Sequence, residues 1–264
     1  MPTLIDQAIC IRQWDWSETS QTVSLFCRSW GMLRGLAKGA RRERGSFSGG
    51  ISMLSRGEIV AVIKPERELQ TLTQWTLLQM FRRPHDDLEA NLYALSMTEL
   101  VQRFLPPSVP QIALFDALLA ALERLEEGER PAPELLSFAF TLLREVGHEP
   151  RIHLPDASQE PIPSTWLAFD AEDGGVVDFR LFPRSWRMRP STLEVLIKVA
   201  AREPLEHCDS DVVDRANRLL IAYSRTIVRD DLAACTLATS PHRLPSEPRA
   251  ELTEVASPQT PQSP

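Results

Sequence analysis

Residues 8–42 read AICIRQWDWSETSQTVSLFCRSWGMLRGLAKGARR. Ala8–Trp14 alternates weakly between apolar and polar residues, and DWSETS supplies Asp and Ser turn chemistry. Gln21–Cys27 (QTVSLFC) is rich in residues that suit a pleated, half-buried surface. Ser29–Trp30–Gly31 then turns the chain into Met32–Ala37. Ile59–Ile63 (IVAVI), closed by Lys64–Pro65, and Glu68–Gln74 (ELQTLTQ) have the same short, apolar or alternating character. Five short strands with a glycine-rich insertion between the third and fourth predict a small closed or nearly closed β-barrel.

After Pro84 the period changes. Leu88, Leu92, Leu95 and Val101 recur at helical spacing, with Asp86 or Asp87 placed to cap and Pro106–Pro107 to terminate. A second helix follows, with Pro110 in its first turn, Phe115, Leu118, Leu119, Leu122 and Leu125 on one face, and Gly128 at its end. A third spans about 133–146. These three stripes predict helices that bury their apolar faces against one another. The helical pattern stops over 150–190, where WLAFDAEDGGVVDF reads as a hairpin, Trp166–Phe169 and Val176–Phe179 around Asp173–Gly174–Gly175. Ser191 and Glu194 form a capping-box pattern for a fourth helix, and a fifth is expected from Asp209 to about Arg229. The expected organisation is a barrel domain over 1–84, a helical domain over 85–232 with the hairpin insertion at 150–188, and a tail over 233–264. That tail is rich in Pro, Ser, Thr and Glu and is expected to be disordered.

Composition narrows the function. The net charge is −7, yet residues 1–84 hold 12 of the 29 Lys/Arg and only 7 of the 36 Asp/Glu. Such a split predicts a polyanion partner for the first region. Four widely spaced cysteines without a CxxC argue against a disulfide framework and fit a reducing compartment. The N-terminus lacks signal-peptide character, and no apolar run is long enough to span a membrane, so a cytoplasmic location is expected. Phosphate-loop, dinucleotide-binding, zinc-protease and serine-hydrolase motifs are missing. The five histidines are scattered, and adjacent His207–Cys208 are poorly spaced to share a metal. No catalytic residue and no metal ligand is predicted.

The remaining candidate is the stretch 33–50, LRGLAKGARRERGSFSGG. Its glycines permit close approach and positive φ. Arg34, Lys38, Arg41, Arg42 and Arg44 supply cations for phosphate oxygens, and Trp30 and Phe47 flank it as stacking faces. The plainest alternative is a solvated basic loop. Taken with the barrel and the charge split, the stretch predicts a nucleic-acid-binding surface.

The same residues resemble the opening of the RecO family of bacterial DNA repair proteins. Ser17–Ser20 fill the family's turn, Leu25–Phe26–Cys27 its strand end, Gly31 its glycine, and Leu36–Arg42 (LAKGARR) its basic motif. Ser17 stands for the usual glycine and Cys27 for the usual threonine. The likeness continues through ELQTL near 68, LLREVGHEPRI at 142–152 and the glycine pair 174–175, covering about 1–230. The resemblance implies an α+β chain: a five-stranded OB-fold barrel, then an all-α domain with an inserted β-hairpin. It also implies a non-enzymatic mediator that binds single- and double-stranded DNA and anneals complementary strands. Its implied partners are RecR and the single-stranded-DNA-binding protein, with RecA helped indirectly. Many relatives carry a four-cysteine zinc site. The matching positions here are Pro155, Ser158, Asp178 and Leu181, so no zinc is expected, and Trp166, Phe169, Phe179, Phe182 and Trp186 are expected to pack the hairpin instead. The main rival is a helical adaptor whose barrel binds RNA or a protein; a nuclease comes third.

Overall fold

The computed structural model describes residues 2–42, 45–47, 49–152 and 164–240. Strands β1 (Thr3–Asp15), β2 (Gln21–Cys27), β3 (Gly31–Ala37), β4 (Ser55–Val62) and β5 (Leu69–Met80) close a barrel in the order β1-β2-β3-β5-β4. Only β3 and β5 run parallel; β4 returns to pair with the first half of β1. The fold class is α+β with a five-stranded N-terminal barrel, as expected.

β1 is long enough to serve both neighbours because it bends. Ala8 and Ile9 pair with β2 on one side and with β4 on the other. The β2 register then slips between Cys10 and Arg12. Such a bulge adds one residue and kinks the strand. The carbonyl of Ile11 accepts a hydrogen bond from Gln102 Nε2 at 3.2 Å, and that of Cys10 accepts one from the Leu54 N–H at 2.8 Å.

Helices follow: α1 (Arg83–Asp86), α2 (Leu88–Phe104), α3 (Ile112–Glu127) and α4 (Pro131–Glu145). Asp87 caps α2 by accepting from the Ala90 N–H at 3.0 Å, and Gly128 closes α3 at φ 103°. Pro110 lies outside α3, which begins at Ile112. After a turn of 3₁₀-helix at Ser164–Trp166, β6 (Leu167–Asp170), β7 (Gly175–Asp178) and β8 (Trp186–Arg187) make a small sheet in the order β7-β6-β8. The expected hairpin is therefore present and extended by a third strand. Helices α5 (Pro190–Ala200) and α6 (Ser210–Val228) pack behind it. The Ser191–Glu194 capping box does not form: Pro190 occupies the first turn, and Arg189 is the uncapped N-cap. Asp209 does cap α6, accepting from the Val212 N–H at 3.2 Å.

The first residues of the tail expected to be disordered, from 233, are instead ordered. Ala233–Thr239 form α7, with Cys235 and Ala238 buried. The Glu99 carboxylate accepts from the N–H groups of Ala233, Ala234 and Cys235 at 3.0, 2.9 and 3.2 Å, and so satisfies the start of that helix from α2. Residues 241–264 lie outside the described residues.

Two apolar cores hold the molecule. One fills the barrel with Ala8, Cys10, Val23, Leu25, Ile59 and Trp75. The other belongs to the helices, yet it includes Ile9, Ile11 and Phe26 from the barrel's outer wall. Phe26 meets Phe115 of α3 edge-on, with ring centres 5.6 Å apart. Arg28 grips Asp116 through two 2.9 Å hydrogen bonds beside it.

Candidate nucleic-acid interface

The bulge decides what β1 shows to solvent. Before it, Ala8 and Cys10 point into the barrel. Unbroken alternation would send Arg12 and Trp14 the same way. The extra residue reverses the parity, and both are exposed. Two cross-strand rows result. Arg12 lies opposite Ser24, which lies opposite Arg34; Trp14 lies opposite Thr22, which lies opposite Leu36. The face is thus cationic at its edges, small in the middle and apolar along one row. The Arg12 guanidinium sits 4.7 Å above the Trp14 ring, which holds both in an extended pose.

Beside these rows runs a groove of about 600 Å³. Its floor includes Arg12, Trp14, Trp30 and Arg34, its second wall the loop from Pro65 to Glu68, and its third Gln102, Leu105, Pro107 and Ser108 of the helical half. Each wall is braced. The Asp6 carboxylate accepts from the N–H groups of Ser29 and Trp30 at 2.8 and 2.9 Å, which fixes the turn that carries Trp30. Gln70 accepts from the Lys64 N–H at 2.7 Å and donates to the Arg67 carbonyl, tying down the loop that carries Arg67. The Ser108 N–H donates to the Met32 carbonyl at 3.0 Å.

The five expected cations do not all gather here. Arg34 lines the groove, ion-paired with Glu68. Lys38, Arg41 and Arg42 sit beyond the end of β3, where Gly39 turns the chain at φ 68°. That turn folds onto the β1–β2 connection: the Arg41 N–H donates to the Thr19 carbonyl at 3.1 Å and the Gly39 N–H to Ser20 Oγ at 3.2 Å. Arg41 pairs with Asp15. Lys38 and Arg42 are exposed and form no ion pair among the described residues. Arg44 lies outside the described residues. Phe47, expected to stack on a ligand, is buried in the barrel core at 5% exposure; Trp30 keeps its place at the groove. The sequence reading missed Arg12 and Arg67. The i and i+2 spacing puts Arg12 and Trp14 on one strand face, but which face that is depends on the bulge, which the sequence does not show.

The hairpin positions do not fit a structural zinc. Pro155 and Ser158 lie outside the described residues. The Asp178 carboxylate is engaged by Arg180, with hydrogen bonds of 3.0 and 2.5 Å to one oxygen and 3.1 Å to the other, and Leu181 has no donor atom. Packing does the fastening that was expected of it at Phe169, which stacks on Trp186 at 6.2 Å and meets Tyr223 edge-on at 5.3 Å. Phe182 is different: it is 45% exposed and outside the core.

Among the described residues no group of three or more His, Cys, Asp and Glu side chains is placed to hold a metal, and no helix is long and apolar enough to cross a membrane. Known proteins supply the remaining comparison. The family model for the N-terminal part of recombination protein O matches residues 1–81, and that for its C-terminal part matches residues 85–232. The DNA repair protein RecO of Salinibacter ruber is 34% identical over 140 residues, 53% of this chain and 54% of that protein. The RecO of Rhodopirellula baltica is 35% identical over 143 residues, 54% and 53% of the two chains. That of Idiomarina loihiensis is 29% identical over 236 residues, 87% and 92%. The chain thus spans about half the length of the first two relatives and nearly all of the third. With both parts matched in order along a barrel and a helical half, the chain belongs to the RecO family.

Proposed function

We propose that this chain is a non-enzymatic, DNA-binding mediator of recombinational repair. It grips single- and double-stranded DNA through phosphate contacts, brings complementary strands together, and acts with RecR and the single-stranded-DNA-binding protein so that RecA is loaded. The place of action that goes with this reading is the cytoplasm, on the nucleoid.

One observation carries it: the bulge-directed face on which Arg12 and Arg34 flank Ser24 while Trp14 and Trp30 stand beside them. Guanidinium groups suit phosphate oxygens, and exposed indoles stack on bases of any identity. Phosphate contacts and ring stacking do not distinguish bases, so these groups support grip without sequence readout. Lys38, Arg41 and Arg42 extend the positive surface past the strand end. The acidic excess lies in the other half of the sequence. The hairpin is proposed to fold without zinc. Metal analysis of the pure protein after chelator treatment is expected to find far less than one zinc per chain; stoichiometric, chelator-resistant zinc refutes this.

The test is annealing of complementary strands coated by the single-stranded-DNA-binding protein, with and without RecR. The wild type accelerates annealing, and R12E/R34E weakens strand binding by at least about tenfold. Unchanged binding in that variant sinks the assignment of the face. Equal affinity for matched RNA and DNA would favour a general nucleic-acid adaptor instead.

A further inference from the structure

The helical half carries a second concentration of arginine that the barrel face does not use. Residues 179–193, FRLFPRSWRMRPSTL, hold four arginines, three aromatic rings and no carboxylate. α6 lies alongside and adds Arg215, Arg218 and Arg225, with Arg229 at its C-cap. Those spacings keep the four on one side of the helix, a stripe about 21 Å long.

Trp186 is the hinge of the arrangement, since it lines three adjoining grooves. In one of them, of about 290 Å³, the charged lining residues are Arg187, Arg189, Arg215 and Arg218, and no carboxylate joins them. Asp214, electrostatically coupled to Arg218, lies outside that lining. Among the described residues none of these four arginines forms an ion pair, and Nε of Arg215 is buried without a hydrogen-bond partner. Arg187 is instead held over the Phe179 ring at 4.5 Å and the Trp166 ring at 5.8 Å. The uncapped start of α5 at Arg189 adds its partial positive charge. At the far end the stripe is neutralised: Arg225 pairs with Asp231 at 2.9 Å.

Four guanidinium groups around one groove repel one another, and no carboxylate in its lining relieves it. A chain of phosphodiesters does, because arginine donates to such oxygens in a bidentate way and the stripe along α6 offers more than one contact point. The half-exposed Trp186 indole adds a stacking surface. We propose that this groove is a second nucleic-acid-backbone site, separate from the barrel face, so that one chain holds two strands at once. The groove is argued from its own residues; that one chain holds two strands at once rests also on the barrel face proposed above.

Native mass spectrometry of the full chain with a short oligothymidylate counts strands per chain directly. The wild type is expected to take up two, R189E/R218E one, and R12E/R34E one. The milder R189Q/R218Q guards against misfolding and is expected to retain the wild-type unfolding midpoint while losing the second strand. R189K/R218K is expected to restore much of the binding. Two strands retained by R189E/R218E, or a single strand on the wild type, overturns the proposal. So does a polyglutamate peptide that occupies the groove and is not displaced by the oligonucleotide, which would assign the surface to an acidic protein segment. Loss of one strand in R189E/R218E alone would instead refute only the barrel face.

Discussion

Gly31 shows how one missing side chain joins the two halves of the molecule. It opens β3 at φ 84°, and a Cβ there would lie 2.1 Å from the Val109 carbonyl oxygen. Gly31→Ala is therefore expected to push the 107–109 segment off the barrel and to cost at least about 2 kcal/mol, measured by denaturant unfolding. A loss within the error of that measurement would show that the loop simply shifts. The cysteines give a second check at this scale. Burial pushes the Cys10 thiol up to about 12, and it raises those of Cys27 and Cys235 as well. Cys208 is the partly exposed one. Thiol reagent at mildly alkaline pH is expected to modify Cys208 alone in the native protein, and the other three only on unfolding. Rapid labelling of two or more native thiols would contradict the packing of β1 and β2.

Between elements, the barrel and α3 are joined by an apolar contact and an ionic one of different character. Phe26 against Phe115 is insensitive to pH. Arg28 against Asp116 is not: hydrogen bonding to the guanidinium holds the Asp116 carboxyl below the ordinary carboxylate range. A lowered folded-state pKa stabilises the fold above the unfolded value, and that contribution disappears as pH falls through the lowered one. Acid unfolding of the wild type is thus expected to lose this contribution below the ordinary carboxylate range. Asp116→Asn should lose the contribution at neutral pH and so flatten that part of the stability–pH curve. An unchanged curve would show that the exposed pair is screened out. The element scale also explains two misreadings. Proline in the first turn displaced the expected cap of α5. The short α7 was invisible because seven residues carry too little periodicity, and Glu99, far away in sequence, supplies its cap.

For the whole molecule, the separation of charge is what matters. A net-negative chain that holds a polyanion must confine the contact to cationic surface, and the binding must then be steeply salt-dependent. If three to five phosphates are neutralised, log K against log[salt] is expected to slope at roughly −2 to −3.5 on single strands, about −0.7 per contact. R12E/R34E should make that slope shallower, and a salt-insensitive affinity would rule out a phosphate grip.

The amino-acid order by itself determined a five-strand β region, three amphipathic helices, a hairpin near Gly174–Gly175 and the family likeness, since each is written in local periodicity, turn residues and short motifs. The tertiary structure alone decided which cations share a surface. Arg34 was within reach of a sequence argument; Arg12 was not, because its outward direction depends on a bulge, and a bulge is defined only by the register of a partner strand. The arginines flanking Trp186 come from segments some thirty residues apart, brought together where α6 packs against the β-sheet. Charge composition is a property of the chain, but a charged surface exists only once packing has chosen which side chains remain outside.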